Sequence, residues 1–141
     1  MKYPRKLAVL IWSSLSYDGR LKEVDPIHLD KILIRLGESE VLPDWANDCI
    51  YPVQSSVGMV CFDMDKFIYR SFSGLLIEPV YRERLWRVNF SSELAERFLT
   101  SKRHGIEIGL EQAKLIAGKL IEFYEEETQV SGGTNERLEG S

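Results

Sequence analysis

Hydrophobic positions recur at helical spacing in three parts of the chain. Ile27, Leu29, Ile32, Leu33, Ile34 and Leu36 give a broad apolar face. Asp25 can cap that helix, Pro26 suits its first position and Gly37 can end it. Ser91 or Ser92 can cap "ELAERFL", whose Glu93 sits favourably in the first turn. The longest pattern is "GLEQAKLIAGKLIEFYEEE", where Leu110, Ala113, Ala117, Leu120 and Tyr124 share a face widened by Ile116 and Ile121. Just before it, "GIEI" predicts a short strand.

Elsewhere the spacing predicts strands. Residues 57–62, 67–72, 75–77 and 84–90 are short apolar or alternating runs with brief links, the pattern of an antiparallel meander. Glu78-Pro79 breaks the ladder, because proline has no N–H to donate. Residues 7–15 fit either element. Leu7, Leu10, Ile11 and Leu15 share a helical face, whereas Ser13, Ser14 and Ser16 disfavour a helix interior and Asp18-Gly19 suits a hairpin turn. A strand, a tight turn and a return strand through Val24 are expected there. Residues 38–52 read as a long connection with one helical turn starting at Pro43. The expected fold is α+β, an antiparallel sheet of about four to six strands with two or three helices on one face. Residues 1–127 would form a single domain and residues 128–141 a flexible, polar, Gly-rich tail.

Length and composition support one soluble domain: 141 residues, 44% hydrophobic and 28% charged. No apolar run approaches the ~20 residues that span a bilayer. The first apolar stretch is short and lacks a small-x-small cleavage site, so a cytoplasmic location is expected. The net charge of −4 is unevenly spread. Residues 66–104 carry eight Lys and Arg against four Glu, a net +4 that leaves −8 for the rest.

Candidate chemistry is sparse. Cys49 and Cys61 lack zinc spacing with His28 or His104 and read as small buried hydrophobes, so no metal or cofactor is expected. "MVCFDMD", residues 59–65, resembles the opening of the catalytic strand in haloacid dehalogenase-type phosphatases. That resemblance implies Asp63 as nucleophile and Asp65 as general acid and base. It covers seven residues, continues with Lys66-Phe67 where the family usually has Gly-Thr or Gly-Val, and leaves about 75 residues that do not repeat βα units. The local reading is a hairpin turn with solvated Asp63 and Asp65. No Gly-rich phosphate loop and no nucleophile elbow are present.

Two stretches remain as candidate surfaces. In "YRERLWRVNF", Arg82, Arg84, Trp86 and Arg87 could stack on bases or anchor a protein interface. In "GESEVLPDWANDC", Glu38, Glu40 and Asp44 surround Trp45, an arrangement that could steer and anchor a basic partner. The function expected is therefore a non-enzymatic protein-interaction module that neutralises or scaffolds a basic protein. The alternatives are single-stranded nucleic-acid binding through residues 81–90, phosphotransfer through Asp63 and Asp65, and small-ligand binding. Overall acidity disfavours nucleic acid, no membrane partner is expected, and self-association is left open.

Overall fold

The structure, a computed structural model, describes residues 1–140 in their backbone and residues 1–129 in their side chains. Among the described residues the fold is α+β and dominated by six α-helices. They are α1 (Pro4–Asp18), α2 (Leu29–Glu38), α3 (Asp44–Cys49), α4 (Met64–Ser73), α5 (Ser92–Thr100) and α6 (Leu110–Gly140). Five short strands, β1 (Glu23–Val24), β2 (Pro52–Ser55), β3 (Gly58–Cys61), β4 (Ile77–Pro79) and β5 (Trp86–Val88), make two separate antiparallel sheets. One has the order β1-β5-β4 and the other is the β2–β3 hairpin. The expected single sheet of four to six strands with two or three helices is thus corrected to a helical domain carrying two small sheets. The tail expected over residues 128–141 falls, beyond Gln129, outside the residues whose side chains are described.

The largest correction concerns α1. Every residue from Leu7 to Leu15 is buried, since α1 runs through the middle of the domain and packs against α4, α5 and α6. A helix buried all round has no polar face, so its sequence lacks the period that identifies one. Two of its serines find acceptors: Ser14 Oγ donates to the Leu10 carbonyl at 2.7 Å, and Ser16 Oγ to the Phe90 carbonyl at 2.7 Å, whereas the buried Ser13 hydroxyl has none. Asp18-Gly19 is the end of this helix rather than a hairpin turn. Gly19 has φ 81° and its N–H donates to the Leu15 carbonyl.

Residues 67–72 are likewise helical, within α4. Phe67 and Ser71 are buried one turn apart, while Met64, Ile68 and Phe72 follow at intervals of four and pack half-buried against the core. The alternation of Ile106 and Ile108 does bury both side chains, but the segment is irregular backbone rather than a strand. Ile108 N–H donates to the Leu99 carbonyl at 3.0 Å.

Other expectations hold. Asp25 accepts from Ile27 N–H at 3.0 Å ahead of a short 3-10 turn that leads into α2, and α2 runs one residue past Gly37. Pro43 precedes α3. Ser91 caps α5, accepting from Leu94 N–H at 3.2 Å. Ala113, Ile116, Ala117, Leu120 and Ile121 of α6 are all buried, and the small residues let α6 approach α1. Tyr124 extends the same face, its hydroxyl accepting from Asp25 N–H at 2.9 Å. No helix among the described residues is long and apolar enough to cross a membrane.

Candidate functional site

The surface that stands out is the β2–β3 hairpin. Its turn forms because Gly58 supplies φ 113° and because Ser55 Oγ donates to the Gly58 carbonyl at 2.8 Å while accepting from Val57 N–H at 3.2 Å. Pairing Val53 with Val60 and Pro52 with Cys61 fixes which residues share a face. Cys61 is buried, although Pro52, Gln54 and Met59 on the same face are exposed. Its N–H donates to Asp30 Oδ1 at 3.0 Å and so ties the hairpin to α2.

The opposite face carries Val53 and Val60, extended by Tyr51 and Phe62, whose rings meet edge to face at 6.3 Å. Phe62 N–H donates to the Tyr51 carbonyl at 2.7 Å and continues the ladder past the last strand residues. Tyr51 is 63% exposed, Phe62 50%, and Val57 at the tip 83%. A two-stranded ribbon is marginal on its own, and the exposed Tyr51 and Phe62 rings add nothing to its stability while in contact with water. Tyr51 and Phe62 also line a groove of about 350 Å³ with Met1, Lys2, Asp48 and Cys49. This aromatic face escaped the sequence reading because Pro52 and the polar Gln54-Ser55-Ser56 obscured β2. The signal available was the pairing of Tyr51 and Val53 with Val60 and Phe62 about a serine-glycine turn.

The acidic segment meets the hairpin groove at Asp48. Glu38, Glu40, Asp44 and Asp48 are exposed, with no Lys or Arg between residues 38 and 48. Asp44 and Asp48, four apart on α3, lie on one side of that helix, and Asp48 reaches the groove beside Tyr51. Trp45 is not presented to solvent as a free anchor. It is half-buried against the core, with the Lys6 ammonium over its ring at 4.1 Å.

The Arg-rich stretch is divided rather than assembled. Arg82 and Arg84 are exposed in the β4–β5 connection, where Val80 N–H donates to the Leu85 carbonyl and Arg82 has φ 66°. Trp86 points inward, edge to face with Phe72 at 5.0 Å and with Trp12 at 6.4 Å. Arg87 points outward between two carboxylates, Glu23 at 3.1 Å and Glu78 at 3.6 Å. Trp86 and the arginines therefore do not form one stacking platform.

Asp63 and Asp65 sit where the hairpin gives way to α4, not at the end of a buried parallel strand. Asp63 is the residue before the helix, at φ 57°, so the expected hairpin turn is instead a helix start. Its carboxylate lies 3.1 Å from the Met1 amino group and 3.3 Å from Lys66 Nζ. The hydrogen bond from Met1 and then the Lys66 contact hold its acid strength above that of an ordinary carboxylate. Burial pushes the Cys61 thiol up to about 12 and the Cys49 thiol up to about 11, so both are poor nucleophiles. No protein-family model, no curated protein and no solved structure matches this chain.

Proposed function

We propose that the chain is a protein-binding module whose docking surface is the face of the β2–β3 hairpin that carries Tyr51 and Phe62. The observation that carries this reading is the exposed ring pair Tyr51 and Phe62, with half-buried Val53 and Val60 on the same face, on a ribbon that the Cys61 N–H ties to α2. Aromatic side chains held rigidly at a surface are the residues that dominate protein interfaces. Asp48 lines the groove beside that face, and Glu38, Glu40 and Asp44 are exposed in the same acidic segment, which favours a partner presenting apolar side chains beside lysine or arginine. In this reading the apolar face supplies the affinity, and the carboxylates supply orientation and encounter rate.

The test is to compare retention of polypeptides from native cell extract by immobilised wild-type protein and by the Tyr51→Ser/Phe62→Ser variant. A polypeptide held by the wild type should be lost from the variant, while the thermal midpoint changes little because both rings are exposed. Its release should also rise with salt, through the acidic flank. Equal retention by both proteins would remove the hairpin from the interface.

A further inference from the structure

A second feature lies away from the hairpin, where α1, α4 and the turn after α5 meet. A cleft of about 160 Å³ opens there, floored by Val9, Leu76 and Phe98 and rimmed by Arg5, Arg70 and His104. It continues over Tyr3 and Lys6 as a shallower depression that shares Arg5, Arg70 and His104. Three chain segments far apart in sequence thus bring two guanidinium groups and an imidazole to one opening with an apolar floor.

The charges at this rim are not balanced from within. Among the described residues, Arg5, Arg70 and the neighbouring Arg103 make no ion pair with any carboxylate. Other cations of the chain, including Arg20, Arg35, Arg87 and Lys119, do have carboxylate partners. Asp65 lies in an adjoining depression that shares Arg70 with the cleft, and it does not line the cleft itself. The imidazole of His104 senses the same field: burial first, then Arg5 and Arg103, hold it below the ordinary histidine value. In a chain of net charge −4, this is a local concentration of unpaired positive charge.

The wall of the cleft is also fixed in shape. Gly74 follows the last turn of α4, and a Cβ there would fall 2.9 Å from the Arg70 carbonyl oxygen. Leu75 then takes φ 58°, a left-handed conformation costly for leucine, and Leu76 turns into the core to form the floor. Backbone held in such a conformation beside a charged opening fits a site shaped for a ligand.

We propose that this cleft binds a small phosphate monoester, with the phosphate at Arg5 and Arg70 and a compact apolar or aromatic body on Phe98, Leu76 and Val9. Two guanidinium groups with His104 and Arg103 close by suit a dianion better than a single carboxylate. The floor gives the ligand's body a surface that inorganic phosphate could not use.

The experiment titrates phenyl phosphate, inorganic phosphate, benzoate and benzylamine into isotopically labelled full-length protein. Amide shifts are followed at Arg5, Ser73, Gly74 and His104, with Lys119 as a remote reference. Phenyl phosphate should produce saturable shifts at the cleft and none at Lys119, with an affinity about tenfold above that of inorganic phosphate or benzoate. Benzylamine, similar in size and opposite in charge, should leave these amides unmoved. Arg5→Gln and Arg70→Gln should each weaken phenyl phosphate about fivefold or more, with the remaining spectrum preserved because both side chains are exposed. The absence of saturable shifts, equal affinity in both variants, or equal affinity for phenyl phosphate, phosphate and benzoate would each overturn the assignment.

Discussion

The indole N–H of Trp12 donates to Ser71 Oγ at 2.8 Å, and that hydroxyl in turn donates to the Phe67 carbonyl at 2.8 Å. Both residues are fully buried, so this relay joins the middle of α1 to α4 in the core. The same two helices carry Arg5 and Arg70 to the rim of the cationic cleft. Ser71→Ala leaves a buried indole N–H without an acceptor, which costs about 1–3 kcal/mol. Urea denaturation should show that loss. In a Trp12→Phe background the serine substitution should cost much less, because the donor is then absent.

Ser13 presents the reverse case. Its hydroxyl is buried in α1 and has no hydrogen-bond partner. Ser13→Ala removes an unsatisfied polar group and substitutes a better helix former, so it should stabilise the domain by about 1 kcal/mol. The same denaturation measurement checks it. Destabilisation would show that the hydroxyl is satisfied after all.

The two cysteines should be inert while the domain is folded. With thiols pushed up to about 11 and about 12, Cys49 and Cys61 hold very little thiolate at pH 8. Mass spectrometry after iodoacetamide treatment should find both unmodified in native buffer and both alkylated in urea. Rapid alkylation of Cys61 in native buffer would contradict its burial against Asp30.

His104 should titrate below an ordinary histidine, and Arg5→Gln or Arg103→Gln should each move it upward. Its folded value is depressed, so the unfolded chain takes up the proton first. Its contribution to stability is therefore complete above the unfolded value near 6.5 and declines as pH falls through the folded one. Proton-detected titration of the imidazole gives the shift directly. Unfolding midpoints across that pH range should show a smaller acid loss in Arg5→Gln.

How much of this was legible in the sequence depended on where each helix sits. The helices α2, α5 and α6 expose one side to solvent, and their polar and apolar positions separate at the helical period. Burial on all sides removed that separation from α1, and its serines argue for a strand although Ser14 and Ser16 bond to the Leu10 and Phe90 carbonyls. In α4, the three aromatic residues Phe67, Tyr69 and Phe72 imitated a strand, although the spacing of Met64, Ile68 and Phe72 was helical. The site residues followed the same logic. Trp86 and Arg87 are adjacent in sequence and point to opposite sides of a strand, so one packs on Trp12 while the other pairs with Glu23. Arg5, Arg70 and His104 share no local spacing, and only the packing of α1, α4 and the turn after α5 brings them together.

The most direct test of the protein-binding account is site-specific photo-crosslinking in cells from a probe placed at position 62, with a probe at exposed Leu115 of α6 as the reference. A discrete adduct with a different polypeptide is expected from position 62, reduced by Tyr51→Ser, and absent from position 115. No adduct from position 62, or an adduct only with a second copy of this chain, would contradict a hairpin face built for a basic protein partner.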